Sequence, residues 1–359
     1  MADRYFPQYF RTKRPYYNNA FVAAVYEAAR NPRVPVVKLV RDTILHSAGQ
    51  AGLGPDAHAQ LFLSRESPIT QTLVTLAWND TPLYDISPAL LEALAHSDTG
   101  DMRLADLRSP NHIYYLHWGP QGDLLLHGLN PVEGAIVVTL GDQWHVALVG
   151  RSPAPWLSIA QRDSFLLKFP EASRSLRFDQ AVDLAIDAER QEILELFAAC
   201  QSGQSDWGMT PDIRDQLADE LQSNAPTLKR ALALAGNCMA YLTAYPDDAR
   251  FDWEADAPAR MLAKLHHGDK EARRTASRMK SLGYLQIHRV GLDFQQSMDE
   301  AAHASDRAGT AGEGTGPARR PHWRRGHWRH QAWGPQHAQR KLMWMKPVRV
   351  LGGPAMSGP

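Results

Sequence analysis

Residues 318–350 read ARRPHWRRGHWRHQAWGPQHAQRKLMWMKPVRV, with nine Lys or Arg, four His, four Trp and no Asp or Glu. Guanidinium groups pair with phosphate oxygens, and indole rings offer flat faces on which bases stack, each stacked base being worth about 1–3 kcal/mol. Interleaved, the two side-chain types make a candidate surface for a nucleic acid or an acidic partner. Its residues would be Arg319, Arg320, His322, Trp323, Arg324, Arg325, His327, Trp328, Arg329, Trp333, Lys341 and Trp344. The same letters also suit a β hairpin, with HWRRGHWRHQAWG and LMWMKPVRV as its strands, docked on the preceding YLQIHRV strand with its Trp packed inward and its Arg outward. Strand alternation groups Trp323 with Arg325, His327 and Arg329, and Trp328 with Arg324, Gly326 and His330. That pattern is not cleanly amphipathic, so both arrangements can hold for different residues.

Other chemistry is sparse. His322, His327 and His330 cluster and His266 and His267 adjoin, but five Arg flank the cluster, and no carboxylate or thiolate lies near it. Such a site repels a dication, so no metal is expected. His112 and His117 fall on opposite faces of an expected strand. The chain carries no nucleophile elbow, P-loop or dinucleotide fingerprint. Asp85, Glu133 and Asp142 lie near strand ends, where a nuclease could keep carboxylates, yet turns carry such acids everywhere. Cys200 and Cys238 sit on apolar helical stretches as small hydrophobes. The reading is of a protein that is not an enzyme and needs no cofactor.

The formal net charge is zero, with 39 basic and 39 acidic residues. Nine of the basic residues lie in the terminal stretch, so the remainder is net acidic, an asymmetry that points to a polyanion or an acidic partner surface. Two cysteines suit a reducing cytosol better than a disulfide framework. The most apolar helical stretch, ALALAGNCMAYLTAY, is shorter than the roughly 20 residues a bilayer requires, so it reads as a core helix and no membrane partner is expected.

These residues need a scaffold, and its elements alternate irregularly. The first 19 residues read as irregular. NNAFVAAVYEAAR reads as a helix capped by Asn18 or Asn19, and VKLVRDTILHSAG as a second helix with a glycine stop. TLVTLAW is expected as a strand, and DISPALLEALAH as a helix with Ser87 as N-cap and Pro88 at its first position. HIYYLHW, DLLLHGL and GAIVVTLGDQWHVALVG, the last folded about Gly141-Asp142, form an antiparallel meander. SFLLKF adds a strand, and Ala181, Leu184, Ala185 and Ala188 begin a long amphipathic helix. The fold class is α+β: an antiparallel sheet with flanking helices, a helical middle and a basic C-terminal hairpin. Three regions are expected: 1–200 mixed, 201–281 mainly helical, and 282–359 with a strand, a flexible linker at about 302–317 and the basic segment.

The stretch RRPHWRRGHWRHQAWG followed by KLMWMKPVRVLGG resembles the C-terminal signature of the anti-CRISPR proteins that act against the type V-A effector nuclease. Arg320, Pro321, His322, Arg324, Arg325, Gly326, His327, Trp328, Gly334, Trp344 and Pro347 fill that pattern. ALALAGNCMAYLTAYPDD is similar to an apolar helix ending in Pro-Asp in the same family, while the first 200 residues match none of its motifs. The resemblance implies a regulator of a phage or plasmid, acting in the bacterial cytoplasm without catalysis. Its implied action is to recognise the effector's nascent N-terminal peptide and to promote loss of its mRNA. The implied partners are that peptide and the mRNA, the ribosome or the RNA-decay machinery. The signature also occurs in relatives without demonstrated anti-CRISPR activity, so it marks the family better than the target. A generic RNA- or DNA-binding protein and an unrecognised nuclease are the alternatives.

Overall fold

The computed structural model describes residues 4–54, 56–78, 82–158, 163–204, 208–254, 256–282, 284–298, 300 and 322–350; of residues 78, 322, 323, 349 and 350 it describes the backbone alone. The aromatic N-terminus, expected as irregular, contains helix α1 (Phe6–Lys13), with Pro7 in its first turn, where a missing N–H is no loss. Burial is the reason: Tyr5, Phe6, Tyr9 and Phe10 are all inside. Helix α2 (Asn19–Arg30) is capped by the Asn18 side chain, which accepts from the Phe21 N–H at 3.0 Å. Helix α3 (Val36–Gln50) passes through Gly49, and the left-handed glycine that ends it is Gly52, at φ 94°.

Helix α4 (Ala57–Trp78) corrects the expectation that TLVTLAW is a strand. Seven apolar and β-branched residues fit either period, and here the helix already running from Ala57 decides. The Thr72 and Thr75 hydroxyls donate to the carbonyls of Pro68 and Gln71, four residues back, as threonines do within helices.

Strand β1 (Leu83–Ile86) leads through Ser87 into α5 (Pro88–Ala95) and the short β2 (Ser97–Asp98). HIYYLHW from Ile113 on and the first four residues of DLLLHGL, read as two strands, fall in a single β3 (Ile113–Leu126), whose register against β4 (Asn130–Leu140) shifts near Gln121, while His127–Leu129 form the turn between them. The Gly141-Asp142 turn joins β4 to β5 (Gln143–Gly150), and β6 (Ser164–Phe169) completes the meander. There follow α6 (Phe178–Gln201), α7 (Pro211–Ala244), β7 (Arg250–Trp253), α8 (Ala259–Lys264), α9 (Asp269–Ser281) and β8 (Gln286–Val290). The C-terminal region supplies β9 (His322–Arg324), β10 (Gly326–Trp333), β11 (Gln339–Met345) and β12 (Val348–Val350).

The main sheet has the order β6-β5-β4-β3-β1-β8-β7, with β1 parallel to both its neighbours and the other pairs antiparallel. Helices cover both faces, because alternate residues of each strand point to opposite sides. Tyr115, Ile136, Ala147 and Ile287 pack with α1–α4, whereas Tyr114, Leu116, Val137, Leu148 and Phe165 pack with α5–α7. The apolar half of α7 is buried in the second core, so close to α6 that a Cβ on Gly236 would lie 2.5 Å from the Phe178 ring. No helix among the described residues is long and apolar enough to cross a membrane.

The expected linker at 302–317 lies outside the described residues. The expected docking of the hairpin on the YLQIHRV strand is corrected: β8 is enclosed between β1 and β7, so its edges are already used. β10 instead runs parallel to β2, pairing Gly326 with Ser97 and His327 with Asp98, and antiparallel to β11.

Candidate functional site

Trp328 and Trp344 lie opposite each other on β10 and β11, ring centroids 6.2 Å apart and stacked. Both indoles point into the α5–α7 core. The Trp328 Nε1–H donates to Asn237 Oδ1 at 2.9 Å, and the Trp344 Nε1–H donates to Ser97 Oγ at 2.9 Å. Asn237 on α7 also donates to the carbonyls of Leu94 and Ser97, so one amide ties α5, β2, α7 and the hairpin together. Tyr241 meets the Trp344 ring edge-on at 5.7 Å. Trp328 is 1% exposed and Trp344 4%, which leaves no face for a base and corrects their assignment as stacking residues. The reason is that a buried indole N–H requires an acceptor, and α7 and β2 provide one each. Gly326 is needed beneath them: a Cβ there would fall 2.6 Å from Ser97 Oγ and 2.8 Å from the Met345 carbonyl.

The other face of the hairpin is open. His327, Arg329 and Trp333 project outward from β10, Lys341 from β11, and Arg324 and Arg325 precede the hairpin, all exposed. His330, on the inner face, pairs with Asp106 at 3.0 Å. The backbones of His322 and Trp323 form β9, paired with β12, but their side chains lie outside the described residues, as do Arg319 and Arg320 altogether. Of the candidate residues, Arg324, Arg325, His327, Arg329, Trp333 and Lys341 are thus placed where a partner could touch them. Sequence reasoning missed Asn237 and Ser97, the hairpin's anchors; two polar residues beside apolar helical stretches were the available signal.

The remaining chemistry-bearing residues are engaged with one another. Asp85 accepts from the Tyr5 hydroxyl at 3.0 Å, Glu133 pairs with Arg151 at 2.7 Å, and Asp142 pairs with Arg174. His117 is buried under Tyr5, whose ring is 4.7 Å away, and burial pushes its pKa down to about 4, so it is neutral at physiological pH. Burial pushes the Cys238 thiol up to about 12, the opposite of what a nucleophile needs. Arg14 bridges Glu66 and Asp163 at 2.5 and 2.9 Å, fastening the N-terminal helices to β6. Among the described residues no group of three or more His, Cys, Asp or Glu is placed to hold a metal ion.

No curated protein matches the chain. The chain is similar to a protein whose solved structure is described as the crystal structure of AcrVA2, at 14% identity and TM-score 0.38, over 96% of this chain and 97% of that one. The model of the AcrVA2-like family, described as the anti-CRISPR type V subtype A2 family, matches residues 84–352, more than half of the chain and the whole span from β1 to the hairpin. The chain belongs to the anti-CRISPR type V subtype A2 family.

Proposed function

We propose that this protein is a regulator that works without catalysis in the cytoplasm of a bacterium carrying a type V-A CRISPR system. It binds the nascent N-terminal peptide of the effector nuclease and promotes loss of the effector's mRNA. The observation that carries the reading is the family match, which includes the docked hairpin with its outward His327, Arg329 and Lys341 and the exposed Arg324 and Arg325 just before it. With Trp328 and Trp344 fixing the inner face, His327, Arg329 and Lys341 are held on a rigid element, as a recognition surface must be. An extended nascent chain suits strand addition, in which main-chain hydrogen bonds supply affinity. Among the described residues β11 is an edge of its sheet and lies within the same basic surface.

The test is co-expression with a type V-A effector, alongside a reporter fused behind the effector's N-terminal coding segment. Protein and message of both should fall, and a reporter without the segment should be unaffected. Equal loss of the reporter without the segment would make the protein a general RNA or DNA binder. Cleavage of naked RNA by the purified chain would make it a nuclease.

A further inference from the structure

A second group of cations stands on the helical pair before β8. Helices α8 and α9 form a pair over a small core of their own, built from Trp253, Ala257 and Met279, with Met261, Leu262 and Ala276 packed against it. Between the helices opens a groove of about 880 Å3. Arg260 and Lys264 line it from α8, and Lys270, Arg274 and Arg278 from α9, all five exposed. Their spacing within each helix is four residues, so each row stands on one helix face with about 6 Å of axial rise between successive residues. Like charges at this spacing weaken a helix by a few tenths of a kcal/mol per pair. Only Lys264 has an ion-pair partner, Glu271 at 3.8 Å; the other four have none among the described residues. Five cations therefore stand against the two carboxylates of the same groove, Asp269 and Glu271, and the excess positive field is left for something outside the chain.

We propose that this groove binds the phosphate backbone of single-stranded RNA. Two facing rows of cations can clasp one strand between them, whereas a duplex would meet only their rims. The groove lining contains one large apolar side chain, Met261, and no Phe, Tyr, Trp, Leu, Ile or Val, so it offers neither an aromatic anchor for a peptide interface nor a wedge for a lipid surface. Asp269 and Glu271 also line the groove, and their carboxylates are acceptors for a 2′-hydroxyl, the group that separates RNA from DNA. Binding of this kind is electrostatic and independent of sequence. The inference does not depend on nascent-peptide recognition.

The experiment is a fluorescence-anisotropy titration of the full chain with labelled oligouridine over a series of salt concentrations. The variant Lys270→Gln/Arg274→Gln/Arg278→Gln should bind at least about tenfold more weakly at low salt. Its log–log salt slope should be shallower by about two, at about 0.7 per lost phosphate contact on a single strand. Arg260→Gln/Lys264→Gln, on the opposite wall, should lose affinity independently, and an unchanged melting temperature for either variant shows that the fold is intact. Unchanged affinity and slope in both variants would overturn the proposal. So would equal binding of oligothymidine, or tighter binding of polyglutamate or of phosphatidylserine vesicles than of oligouridine. Because the assay uses purified protein and naked RNA, it can succeed even if the effector's message does not fall in cells.

Discussion

The hairpin β10–β11 and the helical pair α8–α9 are both rich in cations, and their chemistry differs because their periods differ. In the hairpin, the strand period of two sends Trp328 and Trp344 into the main core and leaves His327 and Arg329 outside, so charge and core alternate residue by residue. In α9, the helical period gathers Lys270, Arg274 and Arg278 on one face above a satellite core. Charge on the hairpin is thus a coat on a structural element, whereas charge on α8–α9 lines a groove. Aromatic residues among arginines are not by themselves a stacking platform. What decides is whether the interior offers the indole N–H an acceptor, and for Trp328 and Trp344 it does.

The largest expected effect breaks the comparison at its structural end. Trp328→Ala removes a buried indole and deprives Asn237 of a hydrogen-bond donor, so unfolding free energy from urea melts should fall by about 3–5 kcal/mol. Arg274→Gln, on the exposed groove, should stay within about 0.5 kcal/mol of the parent. Equal stabilities for the two variants would remove the distinction between anchored and open regions.

Much of the scaffold was legible in the sequence. The meander from Ile113 to Phe169 followed from alternation and the Gly141 turn, and α2 and α6 from caps and spacing, because their periods are long and locally consistent. α4 was not, since TLVTLAW fits both periods and its helical neighbours decide. α1 was hidden because aromatic and basic residues resemble a solvent-exposed arm until the sheet and helices α2–α4 bury them. The basic hairpin was legible as a hairpin but not in its docking, since the pairing of Gly326 with Ser97 spans more than 200 residues and no local signal encodes it. The α8–α9 groove was overlooked because its charge is moderate along the sequence and becomes concentrated only when the two helices face each other.

A smaller effect concerns how the α8–α9 pair is seated. Glu254, just before α8, accepts from Gln8 Nε2 at 2.7 Å and from the Leu285 N–H at 3.1 Å, linking this module to α1. Burial raises its pKa from 4.5 to about 7. The folded chain therefore keeps this proton to a higher pH than the unfolded chain does. The resulting stability is fully present below 4.5 and is lost as pH rises through about 7, then is flat above. Glu254→Gln should remove that decline, seen as a urea midpoint with less change between about pH 5 and about pH 8. His117, with its pKa depressed to about 4, gives a slope of the opposite sign on the acid side, so the difference between parent and variant isolates Glu254. A decline unchanged in Glu254→Gln would mean that the link to α1 does not carry the titration.

The smallest effect on stability is expected at Trp333, and it sharpens the comparison within the hairpin itself. Trp333 is on β10 like Trp328, five residues further along, and an odd separation places the two side chains on opposite faces. It is 59% exposed, against 1% for Trp328. Truncating it removes little buried area, so Trp333→Ala should change unfolding free energy by less than about 0.5 kcal/mol. An exposed indole on the same outer face of the hairpin as Lys341 and Arg329 is nevertheless well placed to contact a partner. In the co-expression assay, Trp333→Ala should therefore weaken the loss of the effector's message while the protein accumulates to its usual level. A fall in stability comparable to that of Trp328→Ala would show that both faces of the hairpin are structural. An unchanged loss of message in a stable Trp333→Ala variant would move the partner contact off the outer face of β10.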